Sequence, residues 1–458
     1  MAKDAVNTEH ETDKKKPPDF DVTQLLIQVS NFLAENNVES YVVGGFVRDT
    51  LLGRATADID VAVATDATEI APKIATVLGG TPVLLDRINK ISRVVFMRNT
   101  TPDSKCQLVL DLATFTGNIE QDLARRDFTI DAMAIDLAKF KEGFAKVPVI
   151  DPFGGRDDLR HGKIRAVSET IFESDPVRLL RAVRLAAELN FRIEKRTEAL
   201  AKRFAHLITG VAGERIREEL LHLLNIPGTG QFLAYLDELG LLTALFPELI
   251  PTKGVEQPKE HFWKVFEHCL KTVNAADFLL RQGDWQNGGT ENTAEEILQT
   301  VPWSPVLAQH FYQEVSGGST RQALLKLAAL FHDIAKPQTK AIAADGRTRF
   351  LGHAEQGATI VTDILERLKF STKEIKYMET MITHHLRPSQ LSQVGLPTRR
   401  ALYRYFRDTG ETGIDVLFLN LADHLATRGP NLNLPHWREH TRIISFVISQ
   451  HFEQQGTA

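Results

Sequence analysis

Asp58 and Asp60 stand two residues apart in Asp58-Ile59-Asp60-Val61-Ala62-Val63. In a β-strand this spacing aims both carboxylates to one side while Ile59, Val61 and Val63 turn to a core. Two convergent carboxylates form a hard-oxygen site for Mg²⁺, an octahedral ion that readily shares its shell with substrate phosphates. Upstream lies Tyr41-Val-Val-Gly44-Gly45-Phe-Val-Arg48-Asp49, followed by Leu51-Leu52-Gly53-Arg54. It reads as strand, glycine turn and short helix. Gly44-Gly45 let the backbone approach a triphosphate with no Cβ in the way, and the helix offers its first N–H groups to an anion. A phosphate cradle beside a carboxylate pair is what metal-assisted nucleotidyl transfer needs, with one ion activating the attacking hydroxyl and another the leaving pyrophosphate. Asp111, at the end of an apolar run, has two readings: a third metal carboxylate, or a capping or turn residue. Arg87 and Lys90 in the polar loop Asp86–Arg93 either swing over a bound triphosphate or decorate a solvated hairpin.

A second set of residues has different chemistry. His268, His332-Asp333, His353, His384-His385 and Asp423-His424 lie in a largely apolar, helical second half. His332-Asp333 closes the apolar run Leu324-Leu-Lys-Leu-Ala-Ala-Leu-Phe, and charge on a buried helix is costly unless it is paired or metal-bound. Imidazole and carboxylate together suit Mn, Ni, Fe, Co or Zn, and such an ion generates hydroxide to attack a phosphate ester. Cysteine contributes nothing to either site. Cys106 and Cys269 are the two in 458 residues and are far apart, which excludes a disulfide framework and a thiolate zinc centre.

Hydrophobic pattern predicts the elements that carry these groups. A helix over Asp21–Glu35 precedes the first strand; a second, Thr68–Leu78, is closed by Gly79-Gly80. Strands are expected over Val83–Leu85, Arg93–Met97 and Gln107–Ala113. Asp151–Leu159 is a turn-rich joint. Beyond it, Asp175 and Pro176 read as N-cap and first residue of a helix running to Leu189, and Gly213–Leu224 is amphipathic. Phe232–Leu245 is helical, residues 247–258 form a linker, and residues 283–318 are an irregular insertion. Residues 1–20 are too polar to fold and read as a disordered tail. The length allows two to four domains. A net charge of −5 argues against a uniformly basic nucleic-acid binder, although residues 156–203 hold twelve Lys or Arg against eight Asp or Glu. No apolar run approaches a membrane span and Met1-Ala-Lys-Asp-Ala-Val-Asn7 lacks a signal segment, so a soluble, cytoplasmic protein is expected.

Taken in order, the motifs from about residue 21 to 430 resemble the class II tRNA nucleotidyltransferase (CCA-adding) and poly(A) polymerase family with a C-terminal HD domain. The resemblance implies an α+β chain. A polymerase-β-like head with a mixed sheet and helices would span 21–155, an all-α neck and body 156–250, an all-α HD domain 259–430, and a C-terminal helix or tail 431–458. In the head, Asp58 and Asp60 would hold Mg²⁺, and Gly44, Gly45 and Arg48 would bind the nucleotide. Ala124-Arg125-Arg126-Asp127-Phe128-Thr129 resembles the family's Arg-Arg-Asp-Phe-Thr-x-Asn-Ala, which implies that Arg126 and Asp127 contact ribose and phosphates. Asp131 departs from the pattern, standing where the family has Asn.

Ser174-Asp175-Pro176-Val177-Arg178 resembles the family's Glu-Asp-x-x-Arg, with Ser174 in place of the Glu and Glu173 displaced by one. The resemblance assigns base reading to Asp175 and Arg178, with Arg181 among the nucleotide-binding residues. The chemistry suits cytosine and adenine. A carboxylate accepts from the exocyclic amine and a guanidinium donates to the adjacent ring nitrogen, whereas uracil and guanine present the reverse pattern. In the HD domain the resemblance implies His268, His332, Asp333 and Asp423 as one metal set, with His353 and His384 (or His385) completing a two-metal site. The implied function is template-independent addition of CMP and AMP from CTP and ATP to the tRNA 3′ end. The rivals are addition of CC or A alone, a poly(A) polymerase, whose Gly-Arg-Arg-Phe signature is absent, and an HD phosphohydrolase with an RNA-binding head.

Overall fold

The computed structural model describes residues 22–101, 104–140, 147–284, 291–391 and 395–456. The expected tail over 1–20 and residues 285–290 of the expected insertion lie outside them. The chain forms two compact units, Met1–Ile171 and Phe172–Ala458.

The first unit is built on a seven-stranded sheet of order β3-β4-β5-β2-β1-β6-β7. Its elements run α1 (Val22–Glu35), β1 (Ser40–Val43), α2 (Gly45–Leu51), β2 (Asp58–Val63), α3 (Ala67–Leu78), β3 (Thr81–Asp86), β4 (Ile91–Thr101), β5 (Ser104–Thr114), α4 (Ile119–Leu123), β6 (Ala134–Asp136), β7 (Val149–Ile150), α5 (Gly155–Arg160) and the two-residue β8 (Lys163–Ile164). The sheet is mixed. β2 and β5 are parallel, and the other neighbours are antiparallel. Alternation sorts β2 as its sequence requires: Ile59, Val61 and Val63 are buried, while Asp58 is exposed and Asp60 half-buried. On the Asp60 face, Tyr41, Val43 and Ala62 pack with Phe115, Ile119, Leu123, Ala132 and Ala134. Asp66 caps α3 by accepting from Thr68 N at 3.0 Å, and Gly79 ends it in the left-handed conformation.

Two details depart from the sequence reading. Val83, Leu84 and Leu85 are a strand, yet all three are exposed, because β3 is the sheet edge. Residues 156–171, expected with the neck, pack with the first unit. Thr129 N donates to Arg165 O at 2.9 Å and Val167 N to Asp127 O at 3.0 Å, which binds this stretch to the Arg-Arg-Asp-Phe-Thr segment.

The second unit is largely helical. After α6 (Ile171–Ser174), which straddles the boundary, come α7 (Arg178–Leu189), the two-residue β9 (Arg192–Ile193), α8 (Lys195–Phe204), α9 (Gly213–Leu224), α10 (Thr229–Glu238) and α11 (Leu241–Leu245). Then follow α12 (Val265–Leu279), α13 (Glu291–Thr300), α14 (Pro305–Tyr312), α15 (Arg321–Phe331), α16 (Lys336–Thr339), α17 (His353–Arg367), α18 (Thr372–His384), α19 (Arg387–Leu391), α20 (Arg399–Thr409), α21 (Gly413–Arg428) and α22 (Leu434–Gln455).

The expectation of an irregular insertion over 283–318 is corrected. Beyond residue 290 it contains α13, α14 and β10 (Glu314–Ser316), which forms a hairpin with β11 (Ser319–Thr320) just past its end. Ile297 is fully buried, and Ser304 caps α14 with Pro305 at the first position, signals too short to stand out by periodicity. A second hairpin, β12 (Lys340–Ile342) with β13 (Thr348–Phe350), also interrupts the expected all-α domain. Among the described residues, no helix is long and apolar enough to cross a membrane.

Candidate functional site

Strand register builds the first site. Val43 pairs with Asp60, Asp60 with Asp111, and Asp111 with Arg93, so one row across four strands carries both acids on the same face. β1 ends at this row and Gly44 follows at φ +70°. A Cβ built on Gly44 would sit 2.8 Å from an Arg126 guanidinium nitrogen and 3.2 Å from Asp60 Oδ2. Glycine thus keeps open the space between the carboxylate and the arginine, at the place where the sequence suggested a phosphate cradle. This fits a site in which Asp58 and Asp60 hold Mg²⁺ against a triphosphate.

Asp111 arrives beside Asp60, but Arg93 engages both its oxygens, at 2.7 and 2.8 Å. The Arg93 guanidinium is raised above its ordinary range by Asp111, with Asp58 and Asp60 adding to the effect. Arg93 was absent from the sequence expectations for the site, and the clamp makes Asp111 its partner.

Arg48, expected to bind nucleotide, is buried. It donates to Asp49 at 3.0 Å through two nitrogens and to Asp131 Oδ1 at 2.7 Å. The Asp131 departure is thereby explained: a residue that only accepts faces a guanidinium that only donates. The ion pair ties α2 to the Arg-Arg-Asp-Phe-Thr segment. Arg126 is steadied by Asp122 at 3.2 Å one turn earlier. Asp127 is buried and accepts from Phe128 N at 2.9 Å.

The base-reading candidates lie in the second unit. Asp175 does not cap α7 with its side chain as expected; α7 has no side-chain cap, and Asp175 O accepts from Arg178 N at 3.2 Å in a tight first turn. The Asp175 carboxylate instead receives Arg215 of α9, in two parallel bonds of 2.9 and 2.8 Å. Arg178 Nε lies 3.8 Å from the same carboxylate, and its Nη1 donates to Ser174 Oγ at 3.3 Å. Arg181 sits one turn along α7 and is half-buried. Beneath them Arg184 joins α7 to α9 through Glu219 at 2.6 Å. Arg215 went unrecognised in the sequence because it is 40 residues from its partner, on a helix whose pattern reads as structural.

The histidine series converges. Asp333 is buried at its centre: Oδ2 is 3.4 Å from His268 Nε2 and 3.2 Å from His332 Nε2, and Oδ1 is 3.3 Å from His353 Nε2 and 3.9 Å from His385 Nε2. Asp423 Oδ1 approaches His268 Nε2 at 3.1 Å. Two buried triads, His268–His332–Asp333 and Asp333–His353–His385, share that carboxylate. Of His384 and His385, it is His385 that joins this cluster. Its neighbour His384 ends α18 and stays half-exposed, because adjacent helical residues point about 100° apart.

Backbone carbonyls fix the rings. Nδ1 of His332, His353 and His385 lies 2.9, 2.6 and 2.7 Å from the oxygens of Ala329, Phe350 and Ile382. Carbonyls only accept, so Nδ1 of each ring carries a proton, and in neutral His385 this leaves the Nε2 lone pair turned inward, as in metal-ligating histidine. Burial pushes His385 down to about 3, keeping it neutral. Burial alone would raise Asp333, but His332 and Lys336 hold it well below the usual carboxylate range. Lys336 Nζ is 2.6 Å from Asp333 Oδ2. A donor set of inward lone pairs and shared carboxylates fits divalent transition metal.

Comparison with known proteins agrees with this architecture. Residues 40–165 match the model of the poly A polymerase head domain, 190–252 that of a probable RNA and SrmB-binding site of polymerase A, and 265–428 the HD domain. The A-adding tRNA nucleotidyltransferase of Deinococcus radiodurans is 32% identical over 396 residues, 85% of this chain and 77% of that protein. The chain belongs to the tRNA nucleotidyltransferase family. The CC-adding tRNA nucleotidyltransferase of Thermus thermophilus is 33% identical over 397 residues, again 85% of this chain and 77% of its own. The Thermotoga maritima CCA-adding enzyme complexed with tRNA shares the fold, with a TM-score of 0.57 at 22% identity over 93% of this chain and 82% of that one. The nucleotidyltransferase described here therefore carries the head, RNA-binding and HD segments of its family in one chain.

Proposed function

We propose that this nucleotidyltransferase adds CMP and AMP, from CTP and ATP, to the 3′ end of tRNA to complete CCA, releasing pyrophosphate. The observation that carries the reading is Asp175, held edge-on by Arg215 with Arg178 alongside. Each Asp175 oxygen keeps a second lone pair for an exocyclic amine, and Arg178 supplies donors for a ring nitrogen. Cytosine and adenine match both. Uracil and guanine would leave oxygen against carboxylate and N–H against guanidinium, at about 1–3 kcal/mol per unpaired group.

In the head, Asp58 and Asp60 would hold Mg²⁺. Bound there, the metal supplies the positive charge that favours the ionised attacking hydroxyl and the leaving pyrophosphate. Gly44 leaves room for the phosphates, and Arg126 offers them a guanidinium across the same gap. The buried Arg48–Asp131 pair keeps the cradle helix and the Arg126 segment in register. Single-nucleotide-resolution extension of tRNA transcripts ending before CCA, after C or after CC tests the proposal. Ordered addition that stops at CCA on all three supports it, whereas addition confined to one step assigns a half-reaction instead.

The shared Asp333 supports a second activity, metal-dependent phosphoester hydrolysis at the HD centre. His268, His332, Asp333 and Asp423 would hold one ion, with His353 and His385 on the other side of Asp333. Opening of a 2′,3′-cyclic end to a ribose phosphomonoester, or release of phosphate from a nucleoside monophosphate, abolished by His332→Ala, tests it.

A further inference from the structure

The chain is net acidic, yet α20 concentrates positive charge. Its eleven residues, Arg399–Thr409, contain Arg399, Arg400, Arg404 and Arg407 against one acid, Asp408, a balance of +3 within a chain of −5. Helical phase separates the two faces. Leu402, Tyr405 and Thr409 are buried, and the Tyr405 hydroxyl is anchored on Gly413 O at 2.6 Å. All four arginines are exposed, as is Tyr403, at 70%. Arg400 and Arg404 are one turn apart, about 6 Å, on the outer face with the Tyr403 ring beside them.

A second feature extends the face. Asp408 holds a guanidinium on each oxygen, Arg407 at 2.7 Å and Arg387 at 2.5 Å. Arg387 opens α19, two residues past His385, so the basic surface begins beside the metal-ligand cluster. Exposed guanidinium groups in a row suit phosphates, which they engage through paired N–H donors. An exposed tyrosine among them offers a stacking platform for an unpaired base.

We propose that the outer face of α20, extended by Arg387, binds the phosphate backbone of RNA and holds the tRNA body on the HD domain. The proposal deepens the tRNA reading above and rests on it for the identity of the RNA. It requires that binding lose salt dependence when the charges are removed, since each neutralised phosphate contributes a slope of roughly 0.9 in log affinity against log salt.

The test compares the full-length protein with two triple variants, Arg399→Gln/Arg400→Gln/Arg404→Gln and the same positions changed to Lys. Affinity for unmodified tRNA is measured by fluorescence anisotropy across a salt series, with thermal melting of each protein alongside. The expected result is at least about tenfold weaker binding and a slope smaller by about 2–3 for the Gln variant, and near-native values for the Lys variant, which keeps the charge. Unchanged affinity and slope in the Gln variant would overturn the proposal. So would a loss that Lys does not restore and that accompanies a lowered melting point, or an effect on polyglutamate binding without one on tRNA. Extension of the same tRNA by the wild-type protein is read separately: its absence would remove the transferase substrate while a charge-dependent loss of RNA binding would still stand.

Discussion

Asp175 and Arg215, on different helices and 40 residues apart, form a two-point ion pair at 2.9 and 2.8 Å. The pair fixes the plane of the carboxylate that would face the incoming base, while Arg178 stays 3.8 Å away and is not locked to it. Geometry of this kind is worth more to catalysis than to stability, because a displacement of about 1 Å at a reacting base costs on the order of 100-fold.

Arg215→Ala is therefore expected to lower kcat/KM for CTP and ATP by about 10- to 100-fold and to narrow the preference over UTP and GTP. Arg215→Lys restores charge without the fork and should recover little. Steady-state kinetics with all four nucleotides check this. Equal losses for all four would assign Arg215 to general support of the fold.

Arg93 and Asp111 make a parallel case in the head. Because Arg93 holds both oxygens of Asp111 and neutralises its charge, Asp111→Asn and Arg93→Gln should change activity by similar factors and leave the Mg²⁺ concentration needed for half-maximal rate unaltered. Asp60→Asn should raise that requirement or abolish addition. A raised Mg²⁺ requirement for Asp111→Asn alone would restore Asp111 as a metal carboxylate.

At the HD centre, metal content separates neighbouring histidines. Protein reconstituted with Mn²⁺ or Ni²⁺ and analysed by mass spectrometry should lose metal with His332→Ala and part of it with His385→Ala, while His384→Ala retains the wild-type amount. Removing even the partner that orients a ligand typically costs about 10- to 100-fold in affinity, so loss of a ligand itself is readily detected. Equal metal in His332→Ala and wild type would contradict the ligand set.

Lys326 and Asp277 supply a stability test away from either site. Their ion pair, 2.7 Å long and fully buried, joins α15 to α12, and Lys326 also donates to Ile226 O and Thr229 Oγ1 at 3.1 Å. Burial pushes the lysine down and the aspartate up, so each depends on the other to stay charged. Lys326→Met should cost about 3–5 kcal/mol by stranding Asp277. Adding Asp277→Asn, which still accepts from Gly230 N, should recover most of it in denaturant titrations.

Local chemistry was legible in the sequence and long-range pairing was not. Gly44-Gly45 and Asp58-x-Asp60 announced β1, α2 and β2 because glycine conformation and strand alternation act over a few residues. The partners of Asp111, Asp131 and Asp175 lie 18, 83 and 40 residues away, and no periodicity points to Arg93, Arg48 or Arg215. Asp175 before Pro176 looked like a helix cap for the same reason: capping is a local rule, and a tertiary partner overrode it. His384 and His385 are adjacent in sequence, so only the orientation of the last turn of α18 decides between them.

The central claim is that the carboxylate pair against the Gly44 cradle performs the transfer while Asp175 selects C and A. The most direct measurement is extension of a tRNA transcript lacking CCA, by wild type, Asp58→Ala/Asp60→Ala and Asp175→Ala, in CTP plus ATP or UTP plus GTP, resolved at one nucleotide. The account predicts CCA from wild type with CTP and ATP, no extension by the double variant, and slow extension with eroded base choice by Asp175→Ala. Extension that survives loss of both carboxylates, or unaltered base choice in Asp175→Ala, would contradict it.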